Sequence, residues 1–223
     1  MDQYFVENIR FLKDASRVVG LMKGFSYDEK YVIDDQHLLR IFSTDDLERR
    51  KNEFDTIKKV GDYSTYVPTA LEFGVLEERN VAYMILTYLP GTDAEAAMSQ
   101  LTREEQYEAG FQSGEELQKL HKVQAPAGYP SWWSVKKKKS DRYLNELKNV
   151  PMDEKIKRML QTYIFENEDI MKRRPNTFQH DDFHPSNLII HNKKFAGIID
   201  FQRMDWGDPI HDLQKLGFFL KTS

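Results

Sequence analysis

Apolar residues recur along the chain with two different periods, and the change of period marks out its parts. Phe5, Ile9, Leu12 and Val19 stand at near-helical spacing, so residues 4–19 read as an amphipathic helix. After Lys23-Gly24-Phe25-Ser26 the runs become short and rich in branched residues, at 30–33 and 38–42. Two more follow at 71–75 and 81–88, around the turn Glu77-Glu78-Arg79-Asn80. Between these pairs a helix is expected over about 45–60, with Phe54 and Ile57 on its apolar side. The breaker Leu89-Pro90-Gly91-Thr92 divides the chain, and the pattern beyond it is mainly helical. Thr102-x-x-Glu105 has the form of a capping box, opening a helix that carries Tyr107, Phe111, Gly114, Leu117 and His121 and stops near Pro126. Further helices are expected over 141–150 and 153–172, the latter ended by Pro175, and another starts at 214–220. Apolar runs at 188–190 and 195–201 flank the polar turn His191-Asn192-Lys193-Lys194 and read as a hairpin. Strands before residue 89 and helices after it predict an α+β chain with lobes at 1–89 and 90–223.

Composition narrows the classes. With 223 residues, 40% hydrophobic and 13% aromatic, the chain has material for a substantial core. The formal net charge of −4 argues against a dedicated nucleic-acid binder. The absence of cysteine removes disulfides and thiolate metal sites and fits a reducing compartment. The first residues are too charged for a signal peptide, and no apolar run approaches the length of a membrane span. A cytoplasmic protein without membrane or nucleic-acid partners is expected.

The chemistry concentrates in residues 179–213. Asp182 and Asn187 are separated by the turn residues Pro185 and Ser186, and Asp200 ends the second run of the hairpin. Antiparallel pairing brings the loop before the first strand close to the end of the second, so these three oxygen donors are expected to cluster. Mg²⁺ takes hard oxygen ligands and usually only one or two carboxylates, which suits Asn187 and Asp200. Asp182 could then accept the proton of an attacking hydroxyl. Competing readings are an acidic surface loop and a zinc site at His180 and His184, which superficially mimics a helical metalloprotease signature. Pro185 opposes the zinc reading, because the residue before a proline is pushed out of the helical region. Elsewhere, Arg40 is a lone cation in an apolar strand and wants a partner. His121 reads as a core-edge histidine, and Trp132-Trp133 followed by Lys136 to Lys139 reads as a solvated face. Asp205 and Asp208 could face a cationic acceptor.

The spacing His180-x-Asp182-x4-Asn187, then Asp200-Phe201, resembles the catalytic loop and metal-binding segment of protein kinases. His184-Pro185, Ile199-Asp200-Phe201, Gly207-Asp208-Pro209 and Asp212-Leu213 make the finer match, which resembles the aminoglycoside phosphotransferase and choline kinase-like family. Asp181 and Ser186 stand where that family's loop has glycine. The resemblance implies a bilobal protein-kinase-like fold, with an antiparallel sheet lobe and a mainly helical C-terminal lobe. It implies Mg²⁺ and ATP or GTP as co-substrate, with phosphoryl transfer to a hydroxyl of an aminoglycoside-like or other amine or sugar acceptor. It assigns Gly24 and Ser26 to a loop over the phosphates. Arg40 takes the place of a strand lysine that contacts phosphates and pairs with a helix glutamate, here Glu53. Thr87, Tyr88 and Leu89 fall in the segment that lines the adenine pocket, and Asp212 falls on a residue that braces the catalytic loop. The alternative is a catalytically inactive nucleotide- or ligand-binding module of the same fold.

Overall fold

A computed structural model describes residues 1–22 and 27–214. The first lobe is built on a five-stranded antiparallel sheet. Its strands are β1 (Val18–Gly20), β2 (Glu29–Ile33), β3 (His37–Ser43), β4 (Ala70–Leu76) and β5 (Val81–Thr87), in the order β1-β2-β3-β5-β4. Side chains alternate across a strand, and that alternation assigns the core. Phe42, Ala82, Met84 and Leu86 point to one face, where Phe54, Ile57 and Val60 of helix α3 (Leu47–Gly61) cover them. Leu39, Ile41, Tyr83 and Ile85 point to the other, onto Phe5, Ile9 and Leu12. Both faces of β3 and β5 are covered, which explains why these strands read as continuous apolar runs.

The single helix expected over 4–19 is not formed. Helix α1 (Gln3–Asn8) is followed by the short α2 (Arg10–Lys13), with Ile9 between them in extended backbone at φ −108° and ψ 115°. That break lets Phe5, Ile9 and Leu12 all turn inward. Val18 and Val19, both β-branched, join the sheet opposite Ile33 and Val32 instead.

The chain leaves β5 through Pro90 and Gly91. Gly91 has φ +141°, and a Cβ there would run into the Ile190 carbonyl, so only glycine fits this approach. Strand β6 (Thr92–Asp93) and the short α4 (Ala94–Ala97) lead to α5 (Arg103–Leu120). The capping box at Thr102 and Glu105 is present in both directions. Next come α6 (Trp132–Leu147) and α7 (Glu154–Asn167). Helix α6 starts earlier than the expected 141, because Ser131 caps it by accepting from the Ser134 amide, and the lysine run lies inside it. Neither α6 nor α7 contains a fully buried residue.

Strand β7 (Thr177–Gln179) then delivers the chain to the hairpin of β8 (Leu188–His191) and β9 (Lys194–Ile198), and β10 (Asp205–Gly207) returns to pair with β7. Strand β9 ends at Ile198, three residues before the end of the apolar run, and Asp200 takes left-handed backbone at φ 66° and ψ 70°. The helix expected at 214–220 lies, apart from Gln214, outside the described residues. Among the described residues, no helix is long and apolar enough to cross a membrane.

Candidate active site

The loop between β7 and β8 is held by buried anchors on both sides of Asp182. Asp212, 2% exposed, accepts from the amides of His180 (2.9 Å) and Asp181 (2.7 Å) and meets His121 Nε2 at 2.9 Å. The His180 ring is wholly buried and donates from Nε2 to the Ile199 carbonyl at 3.0 Å. Phe183 sinks into the main core. Asp181 adopts φ +57°, a left-handed angle that aspartate tolerates better than most side chains, so the loop takes this turn without glycine.

These anchors set the donors. Pro185–Asn187 form a 3₁₀ turn, with the Asn187 amide bonded to the His184 carbonyl at 2.9 Å. The Asn187 side-chain nitrogen donates to the Asp182 carbonyl at 2.9 Å and reaches its carboxylate at 3.3 Å. The Asn187 carbonyl receives the Ile199 amide at 2.9 Å, which ties the loop to the residue beside Asp200. The carboxylate of Asp200 is exposed. Asp182 also has His184 Nε2 at 3.6 Å and Arg203 Nη1 at 3.9 Å. Hydrogen bonds thus bring Asp182, Asn187 and the Ile199-Asp200 turn into one cluster.

His180 gives the loop a pH dependence. Burial pushes its pKa below the ordinary 6.5, although Asp212 and the Ile199 carbonyl pull the other way. Its Nδ1 is buried without a hydrogen-bond partner, so a second ring proton would have no acceptor. The neutral ring costs nothing above the ordinary value. As pH falls below it, the unfolded chain takes up a proton that the folded chain refuses, and stability is lost. Melting temperature followed from about pH 8 to about pH 5 is expected to fall below about pH 6.5 in the wild type, and less steeply in His180→Asn. Parallel curves would remove His180 as the cause.

A second cluster sits on the first lobe. Arg40 donates from Nη1 to Glu53 at 2.6 Å, and from Nη2 and Nε to Asp28 at 2.6 and 3.1 Å. Arg50 binds Glu53 at 3.0 Å and also Asp28. Arg40, Arg50, Asp28 and Glu53 have side chains no more than 6% exposed. Gln202, two residues beyond Asp200, donates to Asp28 at 3.0 Å. Arg40 and Glu53 therefore pair as expected, but inside a larger network. The sequence reading missed Asp28, Arg50 and Gln202. Charge arithmetic could have found the first two, since Arg50 stands one turn before Glu53 on the same side of α3, and two arginines on one glutamate call for a second carboxylate.

The segment at 87–89 is partly engaged. The Thr87 and Tyr88 amides bond to the carbonyls of Thr69 (3.0 Å) and Gln36 (2.7 Å). Gly24 and Ser26 lie outside the described residues. Asp208 is 2% exposed, bonded to Arg174, and caps the Ile210 amide at 3.1 Å. Asp205 accepts from the Tyr129 hydroxyl at 2.8 Å, and burial together with this carboxylate pushes the Tyr129 pKa up to about 12.

A family model described as "Phosphotransferase enzyme family" matches residues 17–220. The chain belongs to the phosphotransferase enzyme family. By that membership it is a small-molecule kinase. Solved structures share the fold at low identity. The streptomycin-ATP ternary complex of the aminoglycoside phosphotransferase APH(2")-IIa superposes with TM-score 0.71 at 18% identity, over 96% of this chain and 74% of that one. ADP-bound APH(2'')-Ib gives 0.72 at 18%, over 97% and 75%. A thermostable mutant of APH(4)-Ia without ligand gives 0.67 at 17%, over 99% and 78%. No curated protein matches the chain. The fold is thus the bilobal kinase-like architecture of these phosphotransferases.

Two other features of this phosphotransferase fall into place. The zinc reading fails on local geometry: residues 180–184 form no helix, and His180 is turned onto Ile199. Among the described residues no group of three or more His, Asp or Glu is arranged to hold a metal by protein ligands alone. A cavity of about 1020 Å³ is lined by Leu101, Tyr107, Leu117, Pro185, Leu188 and Phe195. Asp182, Asn187 and Asp200 do not line it, although Phe183, Pro185 and Leu188 of the same loop do, together with His121, Arg174 and Asp208.

Proposed function

We propose that this phosphotransferase moves the γ-phosphoryl group of ATP or GTP to a hydroxyl of a small amine- or sugar-bearing acceptor, with Asp182 as the base. The acceptor oxygen bonds to the γ-phosphorus as the bond to the β-phosphate bridging oxygen breaks. The hydroxyl proton passes to the Asp182 carboxylate, and the nucleoside diphosphate leaves. The observation that carries the reading is Asn187, which is bonded to Asp182 on one side and to the turn at Asp200 on the other. Its amide nitrogen is directed at Asp182, which leaves the amide oxygen as the donor for a cation. Asn187 and Asp200 together offer hard oxygens of the kind Mg²⁺ takes alongside phosphate. When bound there, the ion supplies neutralisation of phosphate charge.

Other residues support the arrangement. Arg40 and Glu53 join β3 to α3 beside the phosphate end of the cleft. With the Thr87 and Tyr88 amides already engaged, a base would pair with carbonyls of this segment and with Leu89. Neighbours of the same fold were solved with ATP, ADP or GDP, and with streptomycin, gentamicin or hygromycin B. The partly exposed carboxylates of Asp181 and Asp182 favour a cationic acceptor such as an aminoglycoside.

Calorimetry with ATP and GTP, each with and without Mg²⁺, tests the site on wild type and Asp200→Ala. Mg²⁺-dependent binding that is lost in the variant is expected, followed by nucleoside diphosphate release when the correct amine or sugar is added. Failure of the wild type to bind either nucleotide would sink the proposal.

A further inference from the structure

Arg40 occupies the strand position at which the resembled kinases carry a phosphate-contacting lysine, yet three of its five N–H donors are held inside a buried ion-pair network. Nη1 is on Glu53, and Nη2 and Nε are on Asp28, all in a buried setting. Two arginines and two carboxylates sum to zero, so the cluster presents no net positive charge to a nucleotide. Pulling Arg40 onto a phosphate would strip partners from both acids. That would leave buried charges uncompensated.

The sheet register supplies a different cation. Lys30 of β2 lies directly across the ladder from Arg40. Directly opposed residues of an antiparallel pair project from the same face, so Lys30 shares the side on which Arg40 meets Asp28 and Glu53. It is only partly buried, unlike Arg40. Burial first, then Arg40, push its pKa down, while Asp200 and Asp28 hold it up.

We propose that Lys30, not Arg40, is the cation that meets the α- and β-phosphates of the nucleotide, and that Arg40 is a positioning residue that locks β3 to α3. The inference rests on the phosphotransferase reading above. An ammonium on a flexible stem suits this task, because it can follow phosphate oxygens as a point charge, whereas the guanidinium fork is matched to the two carboxylates it already holds.

The experiment uses the full chain as wild type, Lys30→Ala and Lys30→Arg, titrated with MgATP, MgADP and adenosine, with melting temperature recorded for each. Lys30→Ala is expected to weaken MgATP and MgADP binding by about ten- to a hundredfold, the worth of a charged hydrogen bond. Adenosine binding and melting temperature should stay at wild-type values, and Lys30→Arg should recover part of the loss. Wild-type MgATP affinity in Lys30→Ala would overturn the proposal, as would a loss that extends equally to adenosine. If wild type binds nucleotide in an Asp200-dependent manner and Lys30→Ala matches it, only the Lys30 assignment falls. If wild type binds no nucleotide, the phosphotransferase reading falls and takes this inference with it.

Discussion

Asp182→Asn is expected to slow phosphoryl transfer by about 10²- to 10⁴-fold, the usual worth of a positioned general base, while leaving nucleotide affinity at the wild-type level. The asparagine keeps the size of the side chain, and the bond from Asn187 to the backbone carbonyl of residue 182 survives at 2.9 Å. The anchors through Asp212 and the His180 ring also stay, since they use backbone amides and the Ile199 carbonyl. What disappears is the carboxylate that we propose takes the proton. Steady-state release of nucleoside diphosphate in the presence of acceptor, beside a binding isotherm, separates the two effects. An unchanged rate would remove Asp182 from the chemistry. A parallel loss of affinity would mean that the loop had moved.

Glu53→Ala carries the largest expected effect on stability, a loss of about 3–5 kcal/mol, because removing one partner of a buried ion pair leaves the other uncompensated. Here two partners suffer, since Arg40 and Arg50 both lean on Glu53, which is 2% exposed. For a chain of this size that corresponds to a fall in melting temperature of roughly 6–20 °C. The charge-balanced double variant Arg50→Met/Glu53→Met should lose less than Glu53→Ala alone. It removes one charge of each sign and leaves Arg40 on Asp28. Thermal melts of both variants decide the matter. If the double variant is no more stable than the single one, the network is not coupled through charge.

What the sequence disclosed, and what it hid, follows from the range over which each feature is built. Asp182 and Asn187 could be matched to Asp200 because one hairpin joins them, and a turn of four residues leaves little choice of geometry. Arg40 and Glu53 are thirteen residues apart and belong to adjacent elements, so their pairing was also legible. Asp28 and Gln202 are separated by 174 residues, and their contact exists only once the two lobes meet. Nothing local announces it. Asp208 looked available because it stands in a carboxylate-rich stretch, yet the return of β10 along β7 turns it onto Arg174. The start of α6 was concealed by Lys136 to Lys139, whose like charges read as a solvated run. The serine cap at Ser131 was the better signal. The helix read over 4–19 failed because spacing alone cannot distinguish one helix from two short ones that bury the same Phe5, Ile9 and Leu12, whereas Val19 goes to a strand and stays exposed.

The shared carboxylate of Asp28 makes the cleft asymmetric in how it comes apart. Within the first lobe it is gripped by Arg40 and Arg50, but across the cleft it receives a single neutral amide, from Gln202. Separating the lobes at this point surrenders one hydrogen bond, about 0.5–1.5 kcal/mol net, and leaves every ion pair in place. The ion-pair frame therefore belongs wholly to the first lobe, and what crosses to the second lobe at this point is a neutral contact that can be broken and remade without disturbing a buried charge.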